Sequence, residues 1–386
     1  MMRWGAALVV RSLGIALLVL VPARATAQTA PPSASAANPY IESHGDARER
    51  ERFLPLVQEG PRALFVDPAG MQFHRAQFVE KLRRATDVRA LYEEYIDAIG
   101  ANGILDGIES VVPLCHHEAH ELGRIIYARL REVAAGLQVC ANRCNSGCMH
   151  GVIMGAFAQD RGAASVAGAV KQRMHEICFE EKAITSAYAP GDCAHGIGHA
   201  HMYVAGYDIP QALARCDRFD APAMRYYCAT GAYMEYVTER DQSDAAARSL
   251  FYPCDTTDYP SACARHKMGY VMQRHYRAGR TLEQLIQQCA RLEGKFRLGC
   301  FHGLGNGHMV HIAGGQVSLR EVCLQHGTRA EQDVCIEGAL ERMGRYYPQL
   351  ATKTCATVDG DDRVVCARAA ANAMYNMTKD LSLYGR

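Results

Sequence analysis

The sequence is poor in several features that would fix its class at once. Beyond the first two dozen residues of the 386-residue chain, no stretch reaches about 18 uninterrupted apolar residues, so no membrane-spanning helix is expected once a leader is removed. Charge of one sign is scarce as well. The chain has 42 Lys and Arg against 41 Asp and Glu, a formal net charge of +1, and no long basic run, which argues against a nucleic-acid partner. Cysteine is absent before Cys115, so no lipid-anchor cysteine follows the N-terminal apolar run. Two metal and cofactor signatures are also missing. No Cys-x-x-Cys-His haem-attachment motif occurs, and HHEAHELG, starting at His116, does not fit the His-Glu-x-x-His pattern of zincin proteases.

What is present begins with an export signature. Arg3 and Arg11 precede an apolar run from Leu13 to Val21, and Ala25-Thr26-Ala27 precedes Gln28. This predicts a signal peptide over residues 1–27, hence a secreted or periplasmic protein. Removing Arg3, Arg11 and Arg24 takes the net charge from +1 to −2, three positive charges fewer. Residues 28–38 are rich in Pro, Ala and Ser and read as a disordered linker. Residues 39–110 lack cysteine and carry amphipathic patterning between Gln72 and Ile99, which predicts an N-terminal helical cap. Export turns the 16 cysteines of residues 111–386 into candidate disulfides.

Those cysteines are rhythmic. Cys115, Cys148, Cys193, Cys228, Cys263, Cys300, Cys335 and Cys366 lie 31 to 37 residues apart, with one gap of 45. A second cysteine precedes most of them by 9 to 15 residues: Cys178, Cys216, Cys254, Cys289, Cys323 and Cys355. Helical sequence flanks each pair and loop sequence separates its members, as in TLEQLIQQC before and CIEGALERMGRYY after. The unit is helix, clipped loop, helix, which predicts an all-α, disulfide-clipped helical-hairpin repeat array, α-solenoid-like, with a period near 35 residues. The first unit is irregular. One of Cys140 and Cys144 is expected to clip to Cys148, leaving the other for Cys115. Glycines three after the cysteine (Gly151, Gly196, Gly231, Gly303, Gly338) are poor helix formers and predict close approach of a neighbouring helix. In period and hairpin logic the array resembles tetratricopeptide and Sel1-like repeats, whose consensus residues it lacks.

Histidine follows the cysteine rhythm only in part. The residue two after the cysteine is His117, His150, His195, Thr230, Arg265, His302, Glu337 and Arg368. Every copy keeps the cysteine and half do without the histidine, so the cysteine belongs to the scaffold and the histidine is free for function. His116 and His120, and His195 and His199, are four apart and share helix faces. Packed helices lie about 8 to 10 Å apart, close enough for imidazoles on adjacent rungs to share an ion. The expected ligands of a transition metal (zinc, copper or iron) are His117, His120, His150, His195 and His199, with Glu118 or Glu121 as ligand or general base in a metal-dependent enzyme. Three alternatives stand beside this. One is a copper store using methionines such as Met154 and Met234. Another is an anion site at the helix starts, with Arg265 as donor. The last is a protein- or peptide-binding solenoid whose concave groove carries Tyr226, Tyr227, Tyr233 and Tyr236.

Overall fold

The computed structural model describes residues 71–112, 115–140, 144–159, 172–180, 190–244, 249–376 and 379–384. The expected signal peptide, the linker and residues 39–70 of the expected cap lie outside the described residues. The described residues are helical and contain no strand. The described residues begin with α1 (Met71–Leu82) and α2 (Val88–Val111), and α2 breaks at Gly100, whose φ of 67° lies in the left-handed region. Then follow α3 (His116–Leu130), α4 (Val133–Val139), α5 (Gly147–Gln159), α6 (Pro190–Val204), α7 (Ile209–Cys216) and α8 (Pro222–Asp244). The chain continues with α9 (Pro260–Arg277), α10 (Leu282–Ala290), α11 (Gly294–Ala313), α12 (Arg329–Tyr346), α13 (Pro348–Cys355) and α14 (Gly360–Ala371). Among the described residues, no helix is long and apolar enough to cross a membrane.

The long helices pack in succession: α3 on α5, α5 on α6, α6 on α8, α8 on α9, α9 on α11, α11 on α12 and α12 on α14. The short helices lie on the approach to the clips. α7 and α13 end on Cys216 and Cys355, α10 carries Cys289, and Cys140 directly follows α4. All sixteen cysteines are used. The six regular pairs close as expected, Cys140 clips to Cys148, and Cys115 reaches Cys144. The seven clips span 8 to 15 residues, and loops of that length stabilise by about 2.5 to 3 kcal/mol each in the chain-entropy model. Polar caps help the short helices start. Asp208 accepts from the Gln211 amide, and Thr281 with Gln284 forms a capping box.

Glycine sets how closely the long helices cross. A Cβ on Gly151, Gly231 or Gly338 would lie 2.0, 1.9 or 2.0 Å from the carbonyl oxygen of His120, His195 or His302 on the facing helix. The facing helix answers with its own glycine. A Cβ on Gly123, Gly198 or Gly305 would meet the carbonyl of Cys148, Cys228 or Cys335 at 2.0, 2.0 or 1.9 Å. Three crossings, α3 with α5, α6 with α8 and α11 with α12, therefore share one geometry.

That geometry corrects the sequence register of the first unit. Gly198 and Gly305 lie five residues after their cysteines, but Gly123 lies eight after Cys115. Cys115 caps α3 from outside and bonds Cys144, so α3 is displaced by three residues relative to its cysteine. His120, rather than His117, stands where His195 and His302 stand.

Some contacts go beyond those of an open nearest-neighbour stack. Arg345 on α12 donates to Asp192 on α6 at 2.8 Å, and the segment after α14 returns to α6 and α8. Tyr226, Tyr227, Tyr233 and Tyr236, expected in a groove, are instead buried in the core.

Candidate metal centre

Three of these helices bring four histidines to one place. His116 and His120 lie one turn apart on α3, His150 comes from the start of α5, and His199 from the middle of α6. One ligand nitrogen from each of these four rings lies within 4.8 Å of the others, and all four rings are buried. His150 Nδ1 is 3.4 Å from His116 Nε2. That is close to the separation of about 3.3 Å expected between two nitrogens on a tetrahedral metal with bonds of 2.0 to 2.1 Å. His195 adjoins the set, its Nε2 3.1 Å from His199 Nε2, and His266 lies beyond it with ring centroids 5.9 Å apart.

The tautomers follow from the partners on the far side of each ring. Glu235 of α8 places Oε2 3.0 Å from His199 Nδ1, so Nδ1 carries the proton and Nε2 the lone pair. The Cys144 carbonyl lies 3.1 Å from His116 Nδ1, with the same consequence for His116 Nε2. Thr230 donates its hydroxyl proton to the Tyr227 carbonyl at 2.6 Å, so its oxygen accepts from His195 Nδ1 at 2.7 Å. His195 Nε2 therefore also presents a lone pair. Three bare nitrogens converge, and a carboxylate, a carbonyl and a hydroxyl orient them, the arrangement that typically supports metal-bound histidine. Burial pushes the pKa values of His120, His150 and His195 well below the ordinary imidazole range, and neighbouring histidines push the same way; the Asp192 backbone opposes this at His150. Neutral imidazole is the metal-binding form. The buried cluster can hold a metal ion.

The expected residues are placed unevenly. His120, His150 and His199 meet in the four-histidine set, and His195 adjoins it. His117 does not join. A helical residue next to His116 points about 100° away, and His117 turns toward α8, where its Nε2 is 2.9 Å from Glu239 Oε1. Burial works against the cation there, but the Glu239 carboxylate outweighs it and the His117 pKa is raised. Glu121 is held by Arg89 at 2.7 Å and by Arg124 at 2.7 Å, and neither Glu121 nor Glu118 belongs to a set of converging ligand atoms among the described residues. The carboxylate at the centre is Glu235 of α8, 2% exposed. A buried acid in GAYMEYV was the available signal for it.

Further along, the same ladder position is filled by charge. His302 Nε2 lies 3.4 Å from Glu341 Oε1, Arg265 Nη2 2.9 Å from the same oxygen, and Lys379 Nζ 3.0 Å from Glu341 Oε2. Lys379 also donates to Glu337 at 2.7 Å. Burial alone would raise the pKa of Glu341, but Arg265 and Lys379 outweigh it and hold the group well below the usual carboxylate range. Arg265 thus serves an ion-pair network. Met154 and Met268 fill the main apolar core and Met202 a smaller one. The segment after α14 lies against the histidines: the Tyr375 ring is 5.6 Å from His195, and the Tyr227 hydroxyl donates to the Asn376 carbonyl at 2.9 Å. No protein family, curated protein or solved structure matches the chain.

Proposed function

We propose that the protein is an exported metalloprotein in which His116, His120, His150 and His199 hold one divalent transition-metal ion, with His195 beside it. The observation that carries this reading is that one ligand nitrogen from each of these four buried rings lies within 4.8 Å of the others; beside them, His195 Nε2 and His199 Nε2, both lone-pair nitrogens by their hydrogen bonds to Thr230 and Glu235, lie 3.1 Å apart. Two such nitrogens repel unless a cation lies with them. Eight disulfides support an oxidising compartment and leave no thiolate to compete for the ion. An all-imidazole set suits zinc, divalent copper, iron or nickel and is a poor match for monovalent copper, which prefers sulfur. Each ring is exposed by 5% or less, so the centre retains an ion and does not present it to a large substrate.

The test is elemental analysis of the disulfide-intact protein after export through its own leader, beside His116→Ala/His199→Ala. The expected result is at least one equivalent of metal in the natural protein and loss of that equivalent in the variant. Equal metal content in both proteins would remove the four-histidine reading.

A further inference from the structure

His120 belongs to two sets of ligand atoms. Besides the four-histidine set, one atom from each of His117, His120 and Glu235 lies within 4.8 Å of the others. The His120 ring is 1% exposed, and neither of its nitrogens has a hydrogen-bond partner. Its Nδ1 is 3.8 Å from Glu235 Oε2, beyond hydrogen-bond length yet close enough for both atoms to bind one ion. Glu235 has lone pairs to spare after accepting from His199, and Glu239, one turn further along α8, extends the same face to His117 Nε2 at 2.9 Å. This second set differs from the first in access. The His117 and Glu239 side chains are 40% and 38% exposed, whereas the four-histidine rings are enclosed.

We propose that His117, Glu235, Glu239 and the second nitrogen of His120 hold a second divalent metal ion at the solvent edge, so that His120 joins two ions through opposite nitrogens of one ring. The proposal rests on the four-histidine reading, because it needs an ion on the inner side of His120. Binding of the outer ion displaces the proton from the outer His120 nitrogen to solvent, and no electron is transferred. The donor set is mixed nitrogen and oxygen, which suits zinc or divalent copper. The inner ion is coordinated without solvent, whereas the outer position keeps room for water and is where exchange with the medium takes place.

The experiment is equilibrium dialysis of the full, disulfide-intact chain against Zn(II) and separately Cu(II), with electron paramagnetic resonance of the copper form. The expected result is two equivalents in the natural protein and one in His117→Ala/Glu239→Gln, both positions being exposed enough to change without disturbing the core. Two copper ions joined through one imidazole couple magnetically. The natural protein therefore gives a weakened signal at the second equivalent, and the variant gives the full signal of an isolated ion. One equivalent in both proteins, or two in both, would overturn the second site and leave the inner one standing. No metal in either would overturn both.

Discussion

Glu235 Oε2 lies 3.0 Å from His199 Nδ1, both groups buried, with the carboxylate on α8 and the ring on α6. This one contact fixes which His199 nitrogen faces the other histidines. Glu235→Gln keeps an acceptor oxygen but loses the charge that strengthens the ligand. Substituting such a partner typically costs 10- to 100-fold in metal affinity. The expected loss is about tenfold for Glu235→Gln and larger for Glu235→Leu, which leaves Nδ1–H unpaired. Competition with a chromogenic chelator measures both.

Gly231 is the contact point of α8 on α6. An alanine Cβ there would lie 1.9 Å from the His195 carbonyl oxygen, and that atom is backbone and cannot rotate away. Gly231→Ala should destabilise the fold by about 3 kcal/mol, the upper range of overpacking, and push His195 and His199 away from the α3 histidines. Gly279→Ala is the control. Its Cβ meets nothing, so only the left-handed backbone at φ +70° opposes it. Thermal unfolding separates the two, and only Gly231→Ala should also lose metal affinity.

How much of this was legible in the sequence follows from what each residue does locally. The six regular disulfides are legible because short loops leave few choices, whereas the pairing among Cys115, Cys140, Cys144 and Cys148 is not; the hairpins are legible because their apolar spacing is helical. His150, His195 and His199 are legible because α5 and α6 keep their cysteine inside the helix. Counting from Cys115 points to His117 instead of His116, because in the first unit that cysteine is a cap. The glycine that meets a facing carbonyl is the better ruler. From Gly123 the position three back is His120, as from Gly198 it is His195 and from Gly305 it is His302. By the repeat pattern Thr230 marks a copy that does without histidine, yet it is the acceptor that orients His195. Such a role depends on a neighbour 35 residues away and has no local pattern.

The Cys115–Cys144 bond is tied to the centre through the Cys144 carbonyl that orients His116. Its 29-residue separation corresponds to roughly 3 to 4 kcal/mol in the chain-entropy model. Cys115→Ala/Cys144→Ala should lower stability by that amount and also weaken metal binding. Cys355→Ala/Cys366→Ala, at the other end of the described chain, should lower stability while leaving affinity unchanged. Denaturant unfolding and metal titration of the two variants make the comparison.

Acid should act at His308, away from the centre. Its Nδ1 donates to the Leu304 carbonyl at 2.8 Å, its Nε2 accepts from the Tyr276 hydroxyl at 2.8 Å, and burial lowers its pKa from 6.5 to about 4. The unfolded chain takes up a proton near pH 6.5 and the folded chain does not until about pH 4. The contribution of His308 to stability is therefore full above pH 6.5 and is lost as pH drops from there toward 4, by about 3 kcal/mol. His308→Gln should flatten that part of the stability curve. An unchanged slope in denaturant melts between pH 7 and 4 would contradict the assignment.

Anomalous diffraction at a metal absorption edge, on crystals of the protein purified with its native metal, tests the centre most directly. The account predicts a peak enclosed by His116, His120, His150 and His199, with nitrogen ligands at about 2.0 to 2.1 Å if the ion is zinc. The absence of a peak among those four rings, or a metal bound only elsewhere on the chain, would contradict it.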